Sequence, residues 1–152
     1  MNAPDDVSLA LPEGFRPFPA GGDFVHLNGP LYGRKTERGL QLGFRVEQRH
    51  CNPMGNCHGG MLATLADMTL PMSAQRHPEV RHRFLPTISL QIDYLAPAPL
   101  GAWVQGEGEV LRVTRSLLFM QGLITVDGEP ALRASGVFKL GAPWKPPAAA
   151  AE

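Results

Sequence analysis

Residues 59–76 read GGMLATLADMTLPMSAQR, and the spacing of their apolar side chains predicts a helix in a chain otherwise patterned for strands. Met61, Leu65, Met68 and Met72 form one stripe, flanked by Leu62 and Thr69. At about 100° per residue, Gly60, Ala63, Asp67 and Ala74 fall together on the opposite side. That side is small rather than charged, and Asp67 and Arg76 are the only charged residues in the stretch. Such a helix is expected to be buried nearly all round. Pro71, inside it, predicts a kink or a locally loosened turn.

On either side of this helix the period is two. Leu40, Leu42, Phe44 and Val46 alternate with Gln41, Gly43, Arg45 and Glu47. Ile88, Leu90, Ile92 and Tyr94 alternate with Thr87, Ser89, Gln91 and Asp93. Residues 102–113 read as a third strand, in which Gly106 and Gly108 share a face with Val104 and let another element approach closely. Residues 116–126 are apolar on both faces, which places that strand centrally or at an interface. Asp127-Gly128 predicts a tight hairpin into a last strand over 131–140.

The expected order is strand, buried helix, then four strands in antiparallel succession: an α+β domain with an antiparallel sheet curled around one central helix. One sheet covers only one side of a helix. The small-residue side must meet something else, and a second copy of the chain is the economical partner. Residues 1–22 are expected to be an extended or partly helical lead-in, residues 23–140 the domain, and residues 141–152 a flexible Pro/Ala-rich tail.

With 152 residues and 43% hydrophobic composition, the chain suits one core and not two. Fourteen basic residues balance fourteen acidic ones. No field of one sign exists to draw in nucleic acid or an anionic membrane, and neither partner is expected. No apolar run reaches the roughly 18 residues of a membrane span. The acidic, proline-bearing start does not resemble a signal peptide. Two cysteines, Cys51 and Cys57, make no disulfide framework, so a cytoplasmic setting is expected.

The chemistry concentrates in residues 50–60, HCNPMGNCHGG, which run into the helix. Asn52-Pro53 and Gly55 mark a tight loop. His58-Gly59-Gly60 then brings the backbone into a helix N-terminus, where free N–H groups and the helix dipole favour negative charge. Glycine there lets a ligand carbonyl approach the main chain, as an oxyanion site requires. Asp67 follows two turns later on the Gly/Ala face. A carboxylate there, with no helical ion-pair partner, is hard to explain structurally.

Asn52, His58-Gly59-Gly60 and Asp67, followed by the strand TISLQIDYLAPA over 87–98, resemble the hotdog-fold acyl-CoA thioesterases of the phenylacetate-pathway, or PaaI-like, branch. The resemblance spans about residues 24–140. It implies hydrolysis of an acyl-CoA without metal or organic cofactor, by a homodimer or a dimer-of-dimers tetramer. It implies that the Gly59 N–H polarises the thioester carbonyl and that Asp67 of a neighbouring subunit acts as nucleophile or general base. Asn52 would position the water or the carbonyl, His58 would fix the loop, and Thr87 would assist the water. Gly60 and Ser89 would line the substrate groove, and Arg112 and Arg115 would meet the CoA phosphates. Pro71, just past the catalytic turn, would reshape the acyl pocket.

Plainer readings stand beside these. Asp67 could cap a loop, Asn52 could only make the turn before Pro53, His58 could be a structural hydrogen-bonder, and Thr87 an ordinary strand residue. His50, Cys51, Cys57 and His58 suggest zinc, but Cys-x5-Cys is wider than the usual structural spacing. A Cys57 nucleophile lacks an evident acidic partner for a histidine. An enoyl-thioester hydratase or dehydratase and a silent acyl-CoA-binding module are the alternative functions.

Overall fold

The computed structural model describes residues 10–19 and 22–144. Along the chain run β1 (Arg16–Pro17), α1 (Asp23–Asn28), β2 (Tyr32–Lys35), β3 (Leu40–Arg45), α2 (Gly59–Ser73), β4 (Thr87–Tyr94), β5 (Trp103–Val113), β6 (Leu117–Val126) and β7 (Glu129–Lys139). Among the described residues the strands form one antiparallel sheet in the order β1-β2-β3-β5-β6-β7-β4. The sheet curls around α2, and the α+β hotdog architecture is the one expected.

The inner face of the sheet supplies Leu42, Phe44, Val104, Leu118, Met120, Ile124, Leu132 and Phe138, all buried against Met61, Leu62, Leu65, Ala66 and Leu70 of the helix. Close approach depends on missing side chains. A Cβ on Gly106 would lie 2.4 Å from Ile124 Cδ1 and 2.9 Å from Thr69, and one on Gly122 would lie 2.8 Å from Leu70. The central β6 and the Asp127-Gly128 hairpin also match expectation. Both turn residues have positive φ, 48° and 92°.

The structure corrects two points, the neighbour of β4 and the side of Ala74, and adds two others. First, β4 does not neighbour β5; it pairs with β7 at the sheet edge. Alternation fixes the face of a strand, not its neighbour, and residues 95–102 carry the chain past the helix N-terminus. Second, α2 is not enclosed within one protomer: Gly60 is exposed, and Ala63, Thr64, Asp67, Met68 and Pro71 are half-buried. Third, Ala74 joins the core at 1% exposure rather than the open side, because the helix ends at Ser73. Fourth, the lead-in is packed, since β1 pairs with β2 and Phe15 lies edge-on to Trp103 at 5.0 Å. Residues 1–9 and 20–21 of that lead-in lie outside the described residues.

Pro71 sits in the last turn of α2, where the only intrahelical donor it withholds is the one facing the Asp67 carbonyl. The expected tail is still paired where it starts: Gly141 N–H donates to Phe84 O at 2.9 Å and Trp144 N–H to His82 O at 2.7 Å. Residues 145–152 of the tail lie outside the described residues.

Candidate active site

The loop before α2 is built by Asn52. Its Oδ1 accepts from Met54 N–H at 2.9 Å and from Asn56 N–H at 3.3 Å, and its main chain pairs with Asn56 at 2.7 Å. These donors fix the amide orientation, so Nδ2 is the end left free of partners among the described residues. Asn52 therefore makes the turn, and it still keeps a donor available.

Cys51 and Cys57 face each other across a bridge closed by the Asn52 N–H to Asn56 O and His58 N–H to His50 O hydrogen bonds, both 2.7 Å. His50 is buried, with Nδ1 accepting from Glu47 N–H at 3.0 Å and Nε2 lying 2.9 Å from Asn28 O. Neither ring nitrogen is left for a metal. Burial, with a smaller contribution from Cys51, pushes the Cys57 thiol up to about 12, away from the thiolate that a ligand or nucleophile needs.

His58 is the N-cap of α2. Its Nδ1 accepts from Gly60 N–H at 2.9 Å, which assigns the neutral tautomer with the proton on Nε2. That contact consumes the Gly60 N–H. The Gly59 N–H, at the positive end of the helix, has no acceptor among the described residues.

Asp67 lies half-buried on the open side of α2, and Thr87, the first residue of β4, donates its hydroxyl to Asp67 Oδ1 at 2.6 Å. A β-bulge between Thr87 and Ser89 makes this contact. It pairs Thr87 with the buried Phe138, which turns Thr87 inward, and pairs Ser89 with Val137 on the outer face. Ile88, expected among the inward residues, is instead 57% exposed. The structure thus brings Thr87 and Asp67 together and turns Ser89 away from both.

Arg112 and Arg115 are exposed, at the β5–β6 hairpin. Val113 aligns through Leu118 and Phe138 with Thr87, so the arginines stand at the same end of the sheet, about three strand spacings or ~14 Å across. Neither has an ion-pair partner among the described residues.

Two contributors escaped the sequence reading. Tyr94 closes β4 with its hydroxyl donating to Gly59 O at 2.8 Å. The segment after it stitches the loop in place: Cys57 N–H donates to Ala98 O at 2.7 Å and Leu100 N–H to Gly55 O at 3.1 Å. The prolines of LAPAPL, residues 95–100, were the available signal, since they mark a chain that leaves the sheet.

The sequence profile described as the thioesterase superfamily matches residues 54–131. A candidate esterase of Pseudomonas aeruginosa is 32% identical over 135 residues, covering 87% of this chain and 98% of that one. Acyl-coenzyme A thioesterase 13 of Homo sapiens is 31% identical over 96 residues, covering 60% of this chain and 64% of the relative. A solved mutant of the phenylacetic acid degradation protein PaaI from Thermus thermophilus shares the fold, with a TM-score of 0.65 at 21% identity over 76% of this chain and 96% of that one. The chain belongs to the thioesterase superfamily, a thioester hydrolase with the hotdog fold and PaaI-like proteins among its structural neighbours.

Proposed function

We propose that the protein hydrolyses an acyl-CoA thioester to free acid and CoA, in sites completed by two copies of the chain. The observation that carries this reading is the 2.6 Å hydrogen bond that aims Asp67 on the open side of α2. The human relative, an acyl-coenzyme A thioesterase, supports the CoA ester as substrate class.

The helix itself argues for two copies. Gly59 and Asp67 are eight positions apart on α2, or about 12 Å along its axis. One thioester carbonyl cannot touch both. Two helices related by a two-fold axis and crossing through their small-residue sides bring the Gly59 of one protomer to the Asp67 of its partner. The exposed face at Gly60 and the free edge of β4, with Ile88 57% and Tyr94 54% exposed, supply the surface for such a homodimer. A tetramer would pair two dimers.

In this arrangement the Gly59 N–H donates to the thioester oxygen as charge builds on it. Asp67 attacks the carbonyl carbon, or removes a proton from the water that does. Thr87 holds Oδ1, which leaves Oδ2 for that task. Asn52, whose free end is a donor, holds the carbonyl or the water, and His58 keeps the helix N-terminus capped. The C–S bond breaks, the acyl carbon takes the hydroxyl of water, and the thiolate of CoA takes the proton. Gly60 and Ser89 line the groove in this reading, and Arg112 and Arg115 meet the phosphates. No cofactor is called for, because a thiolate is already a good leaving group. Two free thiols facing each other fit a reducing cytoplasm.

Thiol release from a panel of acyl-CoA esters tests the reaction. Release that depends on Asp67 supports it. Tight binding of the esters without release favours an acyl-CoA-binding module, and water addition to an enoyl-CoA favours a hydratase.

A further inference from the structure

Gly59 bears two contacts with one side chain. Tyr94 Oη donates to Gly59 O at 2.8 Å, and its ring lies so close that a Cβ on Gly59 would stand 3.2 Å from Cζ and Oη and 3.3 Å from Cε1. Tyr94 reaches this point from a rigid origin, since it pairs with the buried Leu132 of β7 and so faces the helix. It is 54% exposed, more than core packing accounts for. The chain beyond it then grips the 55–57 loop through Ala98 and Leu100.

The peptide that carries the Gly59 N–H is held by the first turn, where His58 O accepts from Met61 N–H at 2.9 Å and Leu62 N–H at 3.3 Å, and Tyr94 acts on the other side of the Gly59 Cα. The Gly59 carbonyl belongs to the following peptide, so anchoring it fixes ψ of Gly59, while the ring limits which way its Cα can rotate. Glycine, free in both dihedrals, is the residue most in need of such restraint. We propose that Tyr94 is a positioning residue for thioester hydrolysis, orienting the Gly59 N–H toward the substrate carbonyl through its hydroxyl and its ring. This rests on the reading of Gly59 as oxyanion donor and Asp67 as the reacting carboxylate. A Cβ at position 59 would stand close enough to the ring that the tyrosine would have to give by a few tenths of an ångström.

The experiment compares wild type, Tyr94→Phe, Tyr94→Leu, Gly59→Ala, the Gly59→Ala/Tyr94→Leu pair and Asp67→Asn in steady-state thiol release, with Tm for each. Tyr94→Phe keeps the ring and loses one hydrogen bond; a kcat about tenfold lower at nearly unchanged KM and Tm is the expected result. The Gly59→Ala loss is expected to be several-fold smaller in the Tyr94→Leu background, because the methyl no longer meets a ring. Wild-type kcat in Tyr94→Phe, or losses that simply multiply in the pair, with Asp67→Asn inactive, overturns the role of Tyr94 alone. An active Asp67→Asn overturns the reading beneath it. A Tyr94→Phe variant that loses Tm with its kcat intact assigns the tyrosine to structure and likewise overturns the proposal.

Discussion

Thr87 and Asp67 stand twenty positions apart in the chain, yet the threonine hydroxyl donates to the aspartate Oδ1 at 2.6 Å across the seam between β4 and α2. A β-bulge makes the meeting possible, since without it Thr87 would share the outer face with Ser89. The bond engages one carboxylate oxygen and leaves Oδ2 without a hydrogen-bond partner among the described residues.

Removing that bond tests its purpose. Thr87→Ser keeps the hydroxyl and is expected to stay within a few-fold of wild-type kcat. Thr87→Val keeps the shape and is expected to lose about 10- to 100-fold, the scale of losing a group that orients the reacting one. Steady-state thiol release reads both. Equal rates in the two variants would return Thr87 to an ordinary strand residue.

His58 caps α2 through the Gly60 N–H, so His58→Ala is expected to cost about 1 kcal/mol of stability in urea unfolding. His58→Asn keeps an acceptor at the N-cap and is expected to recover most of it. The alanine variant should also lose turnover, because an uncapped first turn leaves the Gly59 N–H poorly aimed. Unchanged stability in His58→Ala would deny the cap.

Much of this was legible in the sequence because two periods are hard to counterfeit. The 3.6 period of residues 61–72 and the period of two in residues 40–46 and 88–94 each set a face, and so the layers. Strand order was not legible, because faces carry no information about neighbours; hence β4 beside β7 came as a correction. Tyr32–Lys35, four residues including a glycine and two cations, carries too little alternation to read as a strand. At the site, Asn52, the glycine pair and Asp67 stood out as polar or backbone-exposing residues where packing asks for neither. Tyr94 did not, since an aromatic in a strand reads as a face-filler until its hydroxyl is seen to have a partner. The Thr87 bulge likewise leaves no periodic signature, and so Thr87 and Ser89, which alternation puts on one face, are parted onto two.

Gly106 and its neighbours bring helix and sheet together. Gly106→Ala places a methyl 2.4 Å from Ile124 Cδ1 and 2.9 Å from Thr69, an overpacking expected to cost about 1–3 kcal/mol. Denaturant midpoints measure it, and a loss below a few tenths of a kcal/mol would show a looser seam than the geometry gives.

Cys57 is held as a thiol. With its pKa pushed up from 9.0 to about 12, the folded state keeps the proton where the unfolded chain releases it. Its contribution to stability is therefore full below pH 9 and falls as the pH rises from there toward 12. At pH 8, iodoacetamide is expected to spare Cys57 in native protein and to modify it on unfolding, as mass spectrometry of the peptides would report. Rapid native alkylation of Cys57 would contradict its burial.

The most direct measurement is thiol release from a panel of acyl-CoA esters by wild type and by Asp67→Asn, with Tm and sedimentation recorded for both. Release by the wild type, and a loss of about 10²–10⁴-fold in a variant that keeps the same fold and oligomer, is the predicted result. Comparable release by the variant would contradict the account, because Asp67 is the one carboxylate that α2 carries.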